Sequence, residues 1–190
     1  FPAPLPGAVY EAILTVRELR VLLAEHSLRL TKRLGQNHLI DARVVARIIE
    51  RAAITPDEVV VEIGAGLGAL TTALAEVARQ VIAVELDPRI AELLTNRMRS
   101  CPQVTVRCQD ILEFPWEHSS PVTVVGAIPY HITSPILVAL CEAHRCIRRA
   151  VLIVQEEVAQ RMLAHPGTKA YGRLSVLAQF SWTITSLLPV

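Results

Sequence analysis

No apolar run in this chain is long enough to cross a bilayer. The hydrophobic stretches are short and broken by charge, so no transmembrane helix and no membrane partner is expected. An excess of charge of one sign is missing too. With a net charge of only +1, any basic surface must be local. The cysteines Cys101, Cys108, Cys141 and Cys146 form no C-x-x-C pair. A zinc site would need tighter pairs or histidines at ligand spacing, so no metal is expected. Free thiols point to a reducing compartment, the cytoplasm or an organelle matrix. The opening FPAPLPGAVY has neither an initiator Met nor a signal-peptide layout. Residues 1–14 are read as a loose, Pro-rich segment at a processed or cut end, outside the fold argument. No internal repeat is present. What the chain does have is bulk: 190 residues, 52% hydrophobic and 19% charged, enough for one folded domain with a real core.

The most informative stretch is VVVEIGAGLG, Val59 to Gly68. Val59-Val60-Val61 suits a strand buried on both faces of a parallel sheet. Glu62 sits near the strand's end. Gly64, Gly66 and Gly68 then make a tight turn, and Leu70 to Ala78 follows with helical spacing. Strand, glycine turn and helix open a nucleotide-binding α/β unit, in which glycines let the backbone approach a ligand. Taken alone, such a turn also serves packing. The next strand candidate, Gln80 to Leu86, carries Glu85 about 20 residues beyond the turn, where such folds place a carboxylate on ribose hydroxyls. The turn reads G-x-G-x-G rather than G-x-G-x-x-G, so a pyrophosphate is not indicated. An adenosine without phosphates fits better, and S-adenosylmethionine is the candidate.

Along the chain, Thr15 to His26 reads as a helix with a Thr15–Glu18 capping box. Leu30 to Asp41 is not periodic and holds Lys32, Arg33, Gln36, Asn37 and His38. A surface loop is the plain reading. Asp41 can cap an amphipathic helix over Ala42 to Ala53. A helix from Pro88 to Arg99 has Pro at its favoured first position. A short strand, Val104 to Cys108, leads to Asp110, an acid that either bonds an adenine amine or caps a turn. Pro121 to Gly126 is a strand feeding Ala127-Ile128-Pro129-Tyr130, and Ile132 to Cys141 is helical. Ala150 to Val154 is a strand and Gln155 to Ala164 a helix. Leu174 to Ile184, apolar with β-branched residues, is read as the last strand. The alternation predicts an α/β fold: a doubly wound, mostly parallel, Rossmann-like sheet with its ligand at the strands' carboxyl ends.

These segments carry a resemblance. KRLGQNHLID (Lys32 to Asp41), VEIGAGLGALT, Glu85, Asp110, IPYHITSPIL and QEEVAQRMLAHPGTKAYGRLSVLAQ resemble, in order and spacing, the KsgA-type rRNA adenine dimethyltransferases. The Erm resistance enzymes share a looser version. The match covers Thr15 to Val190, and the HPGTKAYGRLSV stretch places it nearer the KsgA type. The resemblance implies a class I S-adenosylmethionine-dependent methyltransferase domain over residues 15–190. Methyl groups would pass to the exocyclic amine of two adjacent adenines in small-subunit rRNA during ribosome biogenesis. The partners would be that rRNA and the pre-ribosomal small subunit, and the chain would act as a monomer. Asn37 and Leu39 would close over the cofactor, Gly64 would admit its methionine end, Glu85 would hold the ribose and Asp110 the adenine amine. The flipped target base would stack on Tyr130. Lys32, Arg33, Lys169 and Arg173 would face RNA at the active-site mouth, while Arg145, Arg148 and Arg149 are weaker candidates.

Two departures stand out. The family places Asn-Leu/Ile-Pro-Tyr where this chain has Ala127-Ile128-Pro129-Tyr130. The Asn oxygen and the next backbone carbonyl would hold the target amine, with the proline holding that carbonyl outward. The position also borders the cofactor. Alanine removes one of the two acceptors. Three accounts follow: a deliberate replacement that disables turnover, a natural non-catalytic ribosome-assembly or RNA-binding factor, or slow methylation carried by Ile128 and Tyr130. The second departure is the family's small C-terminal helical domain, which is absent from this sequence and whose absence implies weaker RNA affinity.

Overall fold

A computed structural model gives the structure of residues 14–26, 42–117, 121–128 and 132–187. Among the described residues, five parallel strands form one sheet in the order β3-β2-β1-β4-β5. They are β1 (Val59–Ile63), β2 (Gln80–Glu85), β3 (Val104–Cys108), β4 (Val122–Ala127) and β5 (Ile147–Ile153). The helices, in chain order, are α1 (Val16–Glu25), α2 (Ala42–Ala52), α3 (Ala69–Ala75), α4 (Pro88–Arg97), α5 (Thr133–Glu142), α6 (Glu156–Leu163) and α7 (Arg173–Ser181). Strand order runs outward in one direction from β1 to β3 and in the other through β4 to β5. The crevice between the carboxyl ends of β1 and β4 is therefore the switch point at which such sheets bind ligands.

β1 reads as an unbroken apolar run because it is covered on both sides. Val60 packs with Val81 and Val125 against Val45, Ile48 and Ile49 of α2 and Leu70 and Leu74 of α3. Val61 and Ile63, on the opposite face, meet Ile82, Val84 and Val124, with Ile136 and Leu140 of α5 beyond. The Thr15–Glu18 capping box forms as expected, with the Thr15 N–H donating to Glu18 Oε2 at 2.8 Å and the Glu18 N–H to Thr15 Oγ1 at 3.3 Å. Pro88 opens α4 behind an Asp87 cap whose Oδ1 accepts from the Arg89 N–H.

At the amino ends of β1, β4 and β5 a polar cluster closes the sheet. The buried Glu58 carboxylate accepts from Arg149 Nη2 at 3.0 Å to each oxygen, from the Thr123 hydroxyl, and from Thr55 Oγ1 at 3.2 Å. Burial raises its pKa, but Thr123, Arg149 and Thr55 outweigh that and hold the group below the ordinary carboxylate value.

One element differs in kind from the sequence reading. Leu174 to Ile184 is not a strand: Arg173 to Ser181 form α7, and Trp182 after it is extended without joining a strand. The inward positions 174, 175, 177, 178 and 181 follow helical spacing, whereas the β-branched composition suggested a strand. The ends are also tied helically. Ser175 Oγ accepts from the Gly172 N–H at 3.0 Å and donates to the Arg161 carbonyl at 2.6 Å. Smaller shifts affect β5, which begins at Ile147 rather than Ala150, and α3, which ends at Ala75 rather than Ala78.

Candidate cofactor and active site

The glycine turn is built by backbone that only glycine adopts readily. Gly64, Gly66 and Gly68 have φ of 67°, 55° and 89°. The Gly64 and Ala65 N–H groups donate to the Val84 carbonyl at 3.0 and 3.1 Å, which fixes the turn to β2. A Cβ on Gly68 would lie 2.6 Å from Leu94 Cδ1, so this glycine serves helix packing. Gly64 differs. It is exposed while Ala65 to Gly68 are buried, and a Cβ there would point across the crevice, 3.5 Å from the Ala127 carbonyl oxygen. The ends of β1 and β4 meet at this point, with Ile63 paired to Gly126. Gly126 allows the approach, since a Cβ there would sit 2.7 Å from the Ile63 carbonyl oxygen.

Glu85, at the end of β2, is buried and ties the turn down. Its Oε2 accepts the Gly66 N–H at 2.8 Å and its Oε1 the Asp87 N–H at 2.9 Å. A carboxylate has about four acceptor positions, so two remain. Asp110 follows β3 beside it, because the Gln109 N–H donates to the Glu85 carbonyl at 3.1 Å. Asp110 Oδ1 caps a short 3₁₀ turn through the Leu112 N–H at 2.9 Å. The capping reading of this acid is therefore realised, and the cap uses one of its two oxygens. Leu86 and Leu112, each one or two residues past an acid, are exposed apolar side chains. They offer flat apolar contact beside polar anchors, the usual lining of a ligand cleft.

The buried Glu62 lies beneath the turn. Its Oε2 accepts from Thr71 Oγ1 at 2.6 Å, in the first turn of α3. Gly68, at the cap position of that helix, has no side chain with which to cap it, so Glu62 reaches up from β1 in its place. Burial pushes the Glu62 carboxyl up to about 8; Thr71 opposes this and the nearby Glu85 charge adds to it. The group is therefore mostly protonated at neutral pH. Arg97 of α4 supports the turn from outside by donating to the Leu67 carbonyl. The sequence reading assigned no role to Glu62, Thr71, Leu86 or Arg97. Only Glu62 carried a signal, as an acid inside a run of buried valines, which must find a hydrogen-bond partner.

Ala127 ends β4 in register with Ile153, and the Ile128 N–H donates to the Ile153 carbonyl at 2.9 Å. The Ile128 side chain is core, so what this residue can offer a substrate is its backbone. The structure thus brings Gly64, Glu85, Asp110 and Ala127 to the carboxyl edge of one sheet. Lys169 and Arg173 are exposed on the α6–α7 connection and the first residue of α7. The contacts of that connection's end run to the last turn of α6. Lys32, Arg33, Asn37, Leu39, Pro129 and Tyr130 lie outside the described residues.

With this geometry in place, comparison decides the family. The family model for ribosomal RNA adenine dimethylase matches residues 27–190. The chain belongs to this family. It is 38% identical over 189 residues to the ribosomal RNA small subunit methyltransferase A of Macrococcus caseolyticus, covering 95% of this chain and 64% of that protein. To the protein of the same name from Syntrophus aciditrophicus it is 43% identical over 165 residues, 84% of this chain and 59% of that one. The chain spans about three fifths of the length of the curated relatives it matches. Among solved structures, the 23S rRNA methyltransferase ErmE superposes with a TM-score of 0.66 at 40% identity, over 77% of this chain and 57% of that one. A dimethyladenosine transferase from Plasmodium falciparum gives 0.65 at 30% identity, over 73% and 50%. The fold is that of the class I S-adenosylmethionine-dependent methyltransferases. Among the described residues of this adenine dimethylase relative, no helix is long and apolar enough to cross a membrane. No group of three or more His, Cys, Asp or Glu side chains among them could hold a metal ion.

Proposed function

We propose that this chain is the methyl-transferring part of an S-adenosylmethionine-dependent rRNA adenine dimethyltransferase. In this reading its substrate is two adjacent adenines of small-subunit rRNA, its partner is the pre-ribosomal small subunit, and it works as a monomer in the cytoplasm or an organelle matrix. The observation that carries the reading is the convergence of Gly64, Glu85, Asp110 and Ala127 on one crevice. The residues fit the cofactor. Gly64 is open where a side chain would fill the cradle. Glu85 keeps acceptor positions for two ribose hydroxyls, and Asp110 keeps one oxygen for an adenine amine. Asn37 and Leu39 are proposed to close over it, and Lys32, Arg33, Lys169 and Arg173 to face RNA. When bound, the cofactor supplies an electrophilic methyl group on a sulfonium.

The chain's own task is to hold the adenine amine. That nitrogen's lone pair is delocalised into the ring, so acceptors for its N–H groups help it to pyramidalise and aim. Ile128 contributes a backbone carbonyl and Tyr130 a stacking face. Ala127 contributes no side-chain acceptor. Removal of one such preorganised contact lowers the rate by about a hundred- to a thousandfold. This feature favours a second reading, a non-catalytic ribosome-assembly or RNA-binding factor on the same fold.

The deciding experiment is methyl transfer from labelled S-adenosylmethionine to unmethylated small subunits, by the chain and its Ala127→Asn variant in parallel. Unmethylated 23S rRNA is a second acceptor, chosen for the likeness to ErmE. Activity on small subunits that rises with Asn supports the reading. Activity on 23S rRNA alone would replace the substrate. No transfer by either form, with cofactor bound by both, would favour the binding factor.

A further inference from the structure

Beyond Glu157 the sequence contains no further Asp or Glu, yet Arg161, Lys169 and Arg173 follow. In a chain of net charge +1, Lys169 and Arg173 lie in a stretch with no acid of its own. Arg161 is paired with Glu157 at 2.6 Å. Neither Lys169 nor Arg173 has an ion pair among the described residues. On α7, Arg173, Val176 and Phe180 lie at i, i+3 and i+7, which is one face of a helix. That face points away from the body. The opposite side buries Ser175 and Ala178, and Gln179 Nε2 donates to the carbonyls of Met162 and Ala164 at 2.8 Å each. Phe180 is 90% exposed and Val176 52% exposed.

A nearly bare phenylalanine ring is uncommon, and α7, which carries this one, has a cation at its start and no acid of its own. A protein-docking face would be expected to offer a broader apolar patch. Here one small aliphatic group and one flat ring lie about 4.5 Å and about 10 Å along the helix from Arg173. This is the arrangement of a single-strand binding surface: an aromatic face for a base, and cations for the phosphates on either side. Ser175 and Leu177 of α7 contact Arg161 near the end of α6 and Cys141 near the end of α5. Among the described residues, the side-chain hydrogen bonds of α7 run to these two helices and to the residues bordering them, not to the strand ends that carry Ala127.

We propose that the outer face of α7, Phe180 with Val176, Arg173 and Lys169, is a docking strip for unpaired RNA outside the methyl-transfer site. A base stacks on Phe180, while Arg173 and Lys169 neutralise the flanking phosphates. The strip deepens the rRNA reading above and relies on it only for the choice of RNA as the polymer.

The test uses the whole chain, a fluorescein-labelled oligoadenylate RNA and, for contrast, an RNA duplex. Phe180→Ala removes a solvent-facing ring and no core contact, so the fold should persist, checked by thermal melting. Phe180→Ala should weaken binding to the single strand by about fivefold to a hundredfold with the salt dependence unchanged. Phe180→Trp should restore it and Phe180→Leu should not, because stacking rather than apolar area is at work. Arg173→Gln should lower the salt slope by about one for both RNAs. The proposal is overturned if oligoadenylate does not bind, if Phe180→Ala binds as tightly as the parent, or if Phe180→Leu matches it. It is also overturned if Phe180→Ala leaves RNA affinity alone and breaks up a dimer in sedimentation, which would make this a face for a second copy. Methyl transfer by the Ala127→Asn form separates the two claims. Lost RNA affinity in Phe180→Ala with no rRNA methylation keeps the strip and removes the reaction. Methylation with RNA affinity unmoved by Phe180→Ala does the reverse.

Discussion

One acid, Glu58, precedes β1 and another, Glu62, lies near its carboxyl end, and their surroundings are opposite. Glu58, at the amino end, is buried among Arg149, Thr123 and Thr55 and held below the ordinary carboxylate range. Glu62, four residues on, is buried with the Thr71 hydroxyl as its partner, and its pKa is pushed up to about 8. One end of the strand is closed by charge compensation. The other holds a neutral acid under an open glycine turn, beside Glu85 and opposite Ala127. The same sheet is thus sealed at one edge and left open at the other, as expected when stability and ligand binding occupy opposite edges.

If that division is right, changes at the two edges should show in different measurements. The largest effect is expected at the open edge. Ala127→Asn should raise methyl transfer by about a hundred- to a thousandfold, as one preorganised acceptor is regained. Its melting temperature should barely move, since Ala127 is only half-buried. Equal activity of both forms in a single-turnover assay would mean that the backbone carbonyl of Ile128 suffices. At the sealed edge, Arg149→Met should leave the Glu58 carboxylate buried without its closest cation. Breaking a buried pair costs about 3–5 kcal/mol, and the partly exposed guanidinium reduces this to about 2 kcal/mol. Urea denaturation should read the loss while calorimetry finds cofactor affinity unchanged. A change in affinity would show that the edges are coupled.

How much of this was legible beforehand follows the same division. The open edge announces itself locally: three glycines after a valine run, an acid at the next strand's end and another after the third. Each requirement is a residue type at a spacing, so the sheet, the turn and the placement of Glu85 and Asp110 at the strands' carboxyl ends could be read directly. The helix at 173–181 could not. Its composition is ambiguous, and what settles it is tertiary, namely Ser175 on the Arg161 carbonyl and Gln179 on those of Met162 and Ala164. Glu62 was visible as an acid. Its protonation follows from complete burial and from a partner nine residues away, which no spacing rule encodes.

Glu85→Ala sharpens the comparison from within the open edge. It should weaken S-adenosylmethionine binding by tenfold or more, on the order of 1.4 kcal/mol, as for loss of a charge-assisted hydrogen bond. Because Glu85 also holds the Gly66 N–H, a companion Glu85→Gln separates its two roles. Gln keeps an acceptor for the turn but loses the charge. If Gln binds cofactor as well as Glu does, the charge is unimportant and the carboxylate's work is to hold the turn.

The smallest effect is a slope rather than a step, and its sign differs between the two acids. Glu58 is held below its unfolded value, so the stability it contributes is present above the ordinary carboxylate pKa and is lost as pH falls through the folded value. Glu62 behaves the other way. Raised from 4.5 to about 8, it holds in the folded state a proton that the unfolded chain has released across that window. Its effect on stability is therefore progressively unfavourable as pH rises from about 4.5 towards 8, and constant beyond. Glu62→Gln keeps an acceptor for the Thr71 hydroxyl and has nothing to ionise. It should match the parent near pH 4.5 and exceed it by about 1 kcal/mol or more at pH 8. Urea unfolding at several pH values would give parallel lines for parent and variant if the Glu62 carboxyl were ionised throughout. The open edge would then be compensated by something other than a proton, and the contrast between the two ends of β1 would fail.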